Sequence, residues 1–577
     1  MSILWQLSWA GQLAFFALAA ASWLLFVAVG RRLLAAQAQG LSRAERDAMA
    51  GPWGLMFIAS VVATLVTRGR TQLAVVLAVQ VLIWAASRRR LTGGAVVKRP
   101  DGARTFAHAF ALLVAAQLFY RSAIMPSSGS GRWVVPFFDY GWYAQLSRWL
   151  FRTGIEHYSV QTMPALAENG RPFLAWYHWV ELWVAGAWSE AMGLSPLLVL
   201  VFVVYPVCLA MIAFLAWVFL EGLAGRTLMN APMACGLCLA TTLVNRAVMP
   251  SPLDAFFWSH SIGYYTNFIV ATSLVFASLL GTLRGLAIWS GACLALAVQV
   301  GPGLLPLTLP GVAVWCVLHA LRSRRLTLSD PVLRFSAAYG LVLAASMAAL
   351  LVTGHEIRSE AAYNYADVRQ WEYWSSVLTA LPPAMVMGAL VGAPLLWGLR
   401  VFGREARIDA GGRERLTLMC FAMFLVAFPV ALALRGDGVE KHIVWLMWSA
   451  FVLPVGWVGL ALASRSGRRG ILAAVGMAGL LASGVLTTMN AFGEERRRFS
   501  SPGFVASEVV DLASVCQGEP VGYFCFGCRD NQWWVPVHST WAALSDCRML
   551  RLSHHEKDGW GASAGYWRRV SGNPRSP

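Results

Sequence analysis

A single aspartate, Asp139, is the residue whose type and setting are most suited to chemistry. It lies in the aromatic stretch 137–143, just after a hydrophobic segment and inside a long loop. A carboxylate at the boundary between lipid and water can accept a proton from a bound hydroxyl group as a general base. Aspartate is also a preferred helix N-cap, so a structural role for Asp139 at the start of a helix stays open.

Further acids, bases and aromatic side chains fall in loops predicted to lie on the same side of a membrane. Asp254 follows a Pro-Ser-Pro-Leu turn, where it is either a second catalytic or metal-binding carboxylate or only a helix start. Arginines in these loops suit a phosphate group, although solvated charges or salt bridges explain them equally well. The candidates for contacting a substrate are Arg358, Arg369, His260, Tyr143, His178, Lys441 and His442.

The composition places these residues in a membrane protein. The chain has 577 residues, of which 58% are hydrophobic and 13% charged, and its mean hydropathy is +0.57. Continuous apolar runs near the ~20 residues that cross a bilayer favour helices over a β-barrel. They predict an all-α polytopic protein with about fourteen transmembrane helices, at roughly 10–30, 53–67, 72–86, 105–124, 197–220, 231–249, 262–282, 285–300, 303–321, 332–353, 376–398, 415–434, 442–464 and 470–490.

The formal net charge of +17 is explained by membrane topology rather than by nucleic acid. Most arginines lie in short loops beside the apolar runs, where they determine orientation by the positive-inside rule. All of these loops can be cytoplasmic at once if 125–195 is one long external loop. The pattern therefore predicts a multi-pass protein of a bacterial inner membrane, with both termini and the long loop on the periplasmic or extracellular side.

The external loop is predicted to carry two helices that lie along the membrane surface. Apolar residues recur at helical spacing in 174–192, and His178, Glu181 and Ser189 interrupt them. This pattern is typical of an interfacial amphipathic helix. A similar stripe of tryptophan and leucine follows Asp139.

The hydrophilic tail, 491–577, is predicted to be a small external domain. An oxidising compartment favours disulfides among its cysteines, whereas C-x-x-C spacing leaves a zinc or redox site and free thiols open as alternatives. The four disulfide candidates are Cys516, Cys525, Cys528 and Cys547.

The chain thus divides into N-terminal transmembrane helices (1–104), a central module (105–375), further transmembrane helices (376–490) and the tail. The central module resembles the GT-C class of membrane glycosyltransferases in its order of helices and external loops. In that class an acid lies near the start of the first external loop and another often lies in the next, positions that Asp139 and Asp254 match. The three helices before residue 105 depart from the simplest pattern of the class.

The resemblance implies transfer of a sugar from a polyprenyl phosphate or pyrophosphate carrier to a glycan, lipid or protein acceptor at the outer face, with Asp139 as general base. A divalent metal such as Mg²⁺ or Mn²⁺ is left open. Two other classes are also outward-facing and polytopic: a lipid-linked oligosaccharide polymerase or ligase of the O-antigen type, and a lipid-sugar transporter or flippase.

Overall fold

The structure is a computed structural model that describes residues 3–34, 41–67, 73–88, 102–123, 139–153, 179–224, 269–301, 304–323, 327–352, 371, 410–433, 520–524 and 548–552. These residues are almost entirely helical, as the sequence predicts. The shorter helices are α1 (Ile3–Leu7), α4 (Leu73–Arg88), α6 (Asp139–Thr153), α7 (Trp179–Met192), α9 (Ile269–Leu283) and α10 (Ala287–Val300). The longer ones are α2 (Trp9–Leu34), α3 (Arg43–Val66), α5 (Gly102–Ala123), α11 (Leu305–Ser323), α12 (Pro331–Val352) and α13 (Ala410–Ala433).

The remaining helix, α8, is continuous but changes its hydrogen-bonding register near its start. It consists of Pro196–Val199, a π-helical turn Leu200–Val204 and Tyr205–Ala224. Its first 24 residues, Pro196–Phe219, are buried along their whole length by the surrounding helices. α8 is therefore the central helix of the described part of the chain.

Five helices in the described part are long and apolar enough to cross a membrane. They are Trp9–Leu34, Arg43–Val66, Pro196–Phe219, Leu305–Ser323 and Pro331–Ala348, and shorter apolar helices occupy Leu73–Ala86, Ile269–Leu283 and Ala287–Val300. Ten of the predicted spans fall on described helices. The other four, at 231–249, 376–398, 442–464 and 470–490, lie outside the described residues, so the structure supports a membrane protein but does not test the number fourteen.

Helix α3 begins ten residues before the predicted span at 53–67. The reason is a capping box, in which the Ser42 hydroxyl accepts from the Glu45 N–H (3.3 Å) and the Glu45 carboxylate accepts from the Ser42 N–H (2.7 Å). Together these bonds satisfy two donors that a helix end otherwise leaves open. A charged first turn can thus continue directly into an apolar span.

The pairing of α2 with α3 depends on glycines at their contact. A Cβ on Gly54 would lie 1.9 Å from the Phe26 carbonyl oxygen, and one on Gly30 would lie 1.9 Å from that of Ala50. Small residues let two backbones approach closely where lipid offers no hydrophobic drive for association. The first two long spans therefore form a tight antiparallel pair.

The C-terminal region adds two short strands that the sequence did not predict. β1 (Pro520–Phe524) and β2 (Arg548–Leu552) pair in parallel, with Pro520 opposite Arg548 and Phe524 opposite Leu552. The four tail cysteines lie outside the described residues, so their pairing stays a prediction.

Candidate functional site

Most arginines of the described helices lie at one end of the bundle, called here the arginine-rich end. Arg31 near the end of α2 bonds Asp47 near the start of α3 (2.5 Å), and Arg322 near the end of α11 bonds Glu414 near the start of α13 (2.5 Å). Arg284, in the turn between α9 and α10, pairs with Glu45. The charge pattern of the sequence predicts this common side.

The candidate site lies in the opposite half of the bundle. At the end of that half, the N–H of Ser195, directly before α8, donates to the side chain of Gln6 in α1 (2.8 Å). Helices α7 and α8 form an antiparallel hairpin there. Gly193, with φ 60°, turns the chain, and the Ser189 hydroxyl donates to the Leu194 carbonyl (2.7 Å). A positive φ is a conformation that glycine adopts at little cost. The hairpin directs α7 back alongside the first half of α8.

For the described residues Trp179–Met192, this placement corrects the prediction that 174–192 lies along the membrane surface with one polar face in water. Glu181 is 2% exposed and Ser189 is 0% exposed, as fully enclosed as the apolar Trp183. Helix α6 covers α7 closely, since a Cβ on Gly186 would lie 2.3 Å from the Ser147 carbonyl oxygen. Glu181 and Ser189 are thus buried by neighbouring helices, which periodicity alone cannot distinguish from exposure to water.

Asp139 is the first residue of α6, so it lies within the start of this helix. The next residue, Tyr140, is fully buried and its ring lies 5.4 Å from that of Tyr205 in α8. Tyr120 of α5 contacts the same ring at 5.9 Å. Three tyrosines from three helices thus fix the start of α6 against the centre of the fold.

The π-helical turn of α8 lies directly before Tyr205. The Tyr205 N–H donates to the Leu200 carbonyl, five residues earlier. Pro206 has no N–H, so the α-helical donor to the Phe202 carbonyl is missing. The Gln117 side chain of α5 donates to that carbonyl instead. π-Helical turns are rare and frequently occur at functional sites.

We expect Gln117→Leu to lower the free energy of unfolding by about 1–3 kcal/mol, because it leaves a buried carbonyl without that donor. Thermal unfolding of the purified protein in detergent would measure the change. Gln12→Leu is the matched control, since Gln12 makes a part-buried bond within the N-terminal segment (3.2 Å). Equal effects from the two variants would contradict the role given to Gln117.

Glu181 is a candidate that the sequence reasoning did not select. The sequence pattern places it among the polar residues of an interfacial helix, but its side chain is 2% exposed and lies within electrostatic reach of Cys208 in α8. An ionisable side chain buried inside a membrane bundle is a functional-site candidate. The usable signal was a carboxylate among apolar residues in the first turn of α7.

Of the predicted site residues, the structure brings Asp139 and Tyr143 together one turn apart on α6. Tyr143 is 4% exposed and so lies in the packed part of the helix. The other predicted site residues lie outside the described residues: Asp254, His260, His178, Arg358, Arg369, Lys441 and His442. Among the described residues, no group of three His, Cys, Asp or Glu side chains is placed to hold a metal ion.

Comparison with known proteins gives this chain no family. No protein-family model matches it, and no curated protein matches it significantly.

Proposed function

We propose that the chain is a membrane glycosyltransferase that passes a sugar from a polyprenyl phosphate or pyrophosphate carrier to a glycan, lipid or protein acceptor. One observation carries the proposal. Asp139 begins a helix that is packed against the central span in the half of the bundle opposite the arginine-rich end. Because positive charge marks the cytoplasmic side of bacterial membrane proteins, the opposite end would face the periplasm or cell exterior.

In this reaction the Asp139 carboxylate takes the proton of the acceptor hydroxyl. The hydroxyl oxygen then forms a bond to the anomeric carbon of the sugar. The bond from that carbon to the carrier phosphate breaks, and the carrier leaves with the electron pair. Because a lipid phosphate is already a good leaving group, neutralising its charge matters more than protonating it.

The sequence offers residues for the other tasks in this reaction. Arg358 and Arg369 are the proposed phosphate ligands, and Asp254 is the proposed second acid. His260, Tyr143, His178, Lys441 and His442 are the further candidates for contacting donor or acceptor. A divalent metal such as Mg²⁺ or Mn²⁺ would share the task of neutralising phosphate.

The test is to incubate the purified protein with candidate polyprenyl-phosphate sugars and acceptors and to measure release of the free carrier. We expect release from wild type and its loss in Asp139→Asn. Loss in Arg358→Ala with survival in Asp139→Asn would favour a polymerase or ligase instead. Binding of the lipid-linked sugar without any turnover would favour a transporter.

A further inference from the structure

A half-buried arginine stands in the half of the bundle opposite the arginine-rich end. The Arg121 guanidinium lies over the ring of Trp9, 4.2 Å from the ring centroid. Within the described residues, Arg121 makes no ion pair. Two further described cations in this half, Arg148 and Arg152, both pair with Glu190.

Arg121 lies near the last turn of α5, and Trp9 is the first residue of α2. Phe15 of α2 contacts Phe202 of α8 at 5.9 Å, and Trp9 lies about 9 Å farther along α2 at 1.5 Å per residue. This distance places Trp9 level with the start of α8. Arg121 thus extends toward the rim of the membrane, as long cationic side chains near helix ends do.

The surface beside Arg121 and Trp9 is apolar and exposed. The Trp9 side chain is 73% exposed, Leu13 one turn below it is 68% exposed, and Leu118 one turn below Arg121 is 59% exposed. In a membrane protein such side chains face lipid tails. A cation at the rim above an apolar strip matches a lipid in charge and in shape, because a lipid carries its anionic phosphate above its hydrocarbon chain.

We propose that Arg121 and Trp9 form a binding site for the phosphate headgroup of a lipid. The guanidinium donates to the phosphate oxygens, the indole ring holds the guanidinium in position, and the hydrocarbon chain lies along Leu13 and Leu118. A guanidinium suits this task because its fork of donors matches the oxygens of a phosphate.

The backbone at Arg121 is close to the residue proposed for catalysis. Arg121 follows Tyr120, Asp139 precedes Tyr140, and both tyrosines contact the ring of Tyr205. Resting on the proposed function, the lipid that binds here is the polyprenyl-phosphate carrier, held beside the start of α6. An ordinary anionic phospholipid carries the same chemistry, so the experiment must separate the two.

The experiment measures binding of defined lipids to the purified full-length protein in neutral detergent by native mass spectrometry. The probes are polyprenyl phosphate, the polyprenyl alcohol without phosphate, and phosphatidylglycerol. We expect Arg121→Gln to weaken binding of polyprenyl phosphate about 10- to 100-fold, the range for one lost charge-assisted contact. Binding of the alcohol should not change.

Two further variants serve as controls. Arg152→Gln removes a cation that Glu190 already engages, so lipid binding should match wild type. Trp9→Leu keeps the charge but removes the ring, so we expect a smaller loss than in Arg121→Gln. Wild-type binding of polyprenyl phosphate by Arg121→Gln, or equal loss in Arg152→Gln, would overturn the proposed site.

The phosphatidylglycerol arm identifies the source of the phosphate. Loss confined to polyprenyl phosphate supports a carrier site, whereas equal loss for both lipids supports a headgroup site and overturns the assignment to the carrier. Failure of the proposed function is a separate result. Carrier release that never occurs, together with Arg121-dependent binding, would remove the transferase and leave the lipid site in place.

Discussion

Asp139→Asn is expected to lower the rate of sugar transfer by about 10²–10⁴-fold, the usual contribution of a general base. The amide cannot accept the proton of the acceptor hydroxyl, although it has nearly the size and shape of the carboxyl group. Initial rates of carrier release, measured with saturating donor and acceptor, would report the change. Because the substitution keeps a polar side chain of the same size at the helix start, the unfolding midpoint should stay close to that of wild type.

Asp330→Asn is the matched control for Asp139→Asn. Asp330 lies at the arginine-rich end, where its carboxylate pairs with His319 (2.9 Å) and accepts from the Val332 N–H (2.7 Å) at the start of α12. Losing this carboxylate should affect stability and leave the rate of transfer unchanged. The opposite result, a normal rate in Asp139→Asn with a lowered unfolding midpoint, would show that Asp139 only caps α6.

Glu45→Ala is expected to lower the free energy of unfolding by about 1–3 kcal/mol, the range for losing a hydrogen bond to a charged group together with a helix cap. Glu45 is 5% exposed, and its two oxygens serve different partners. One accepts from the Ser42 N–H in the capping box (2.7 Å), and Arg284 from the turn between α9 and α10 binds the other. The substitution therefore removes one hydrogen bond of the α3 capping box and leaves the Arg284 guanidinium without this carboxylate.

Thermal unfolding of purified variants would measure the effect of Glu45→Ala. Arg43→Gln is the control on the same helix, because its contact with Asp47 is long (3.9 Å) and exposed, and such pairs contribute at most about 1 kcal/mol. A double-mutant cycle with Arg284→Met isolates the pair itself. A coupling energy near zero would show that Glu45 acts through the cap alone.

The spans show how far local pattern predicts this fold. Hydropathy located α8 to within a few residues, because a central helix enclosed on all sides must be apolar along its whole length. It missed the first ten residues of α3, where charges are neutralised by partners far along the chain, such as Arg284 for Glu45. In the sequence, Pro206 was the sign of the register change at Leu200–Val204. That Gln117 donates a hydrogen bond to the free Phe202 carbonyl could be seen only in the packed structure.

For the candidate site too, the sequence predicted some features and not others. The sequence identified Asp139 as a carboxylate at a helix start, since that position depends on neighbouring residues and on the preceding apolar run. It did not predict that Tyr120, Tyr140 and Tyr205 would meet, because they come from three helices separated by up to 85 residues. Nor did it distinguish Glu181, which is buried, from Glu190, which forms ion pairs with two arginines.

The sequence by itself determined that this is a helical membrane protein, roughly where the described spans lie, and on which side most of its arginines gather. These properties follow from the free-energy cost of placing polar groups in lipid, because each segment that crosses the membrane must be apolar by its own composition. Only the tertiary structure decided that α7 runs along α8 rather than along the membrane surface, that Glu181 is buried, and that Arg121 reaches Trp9. The reason is that burial and contact depend on which helices become neighbours, and no single segment contains that information.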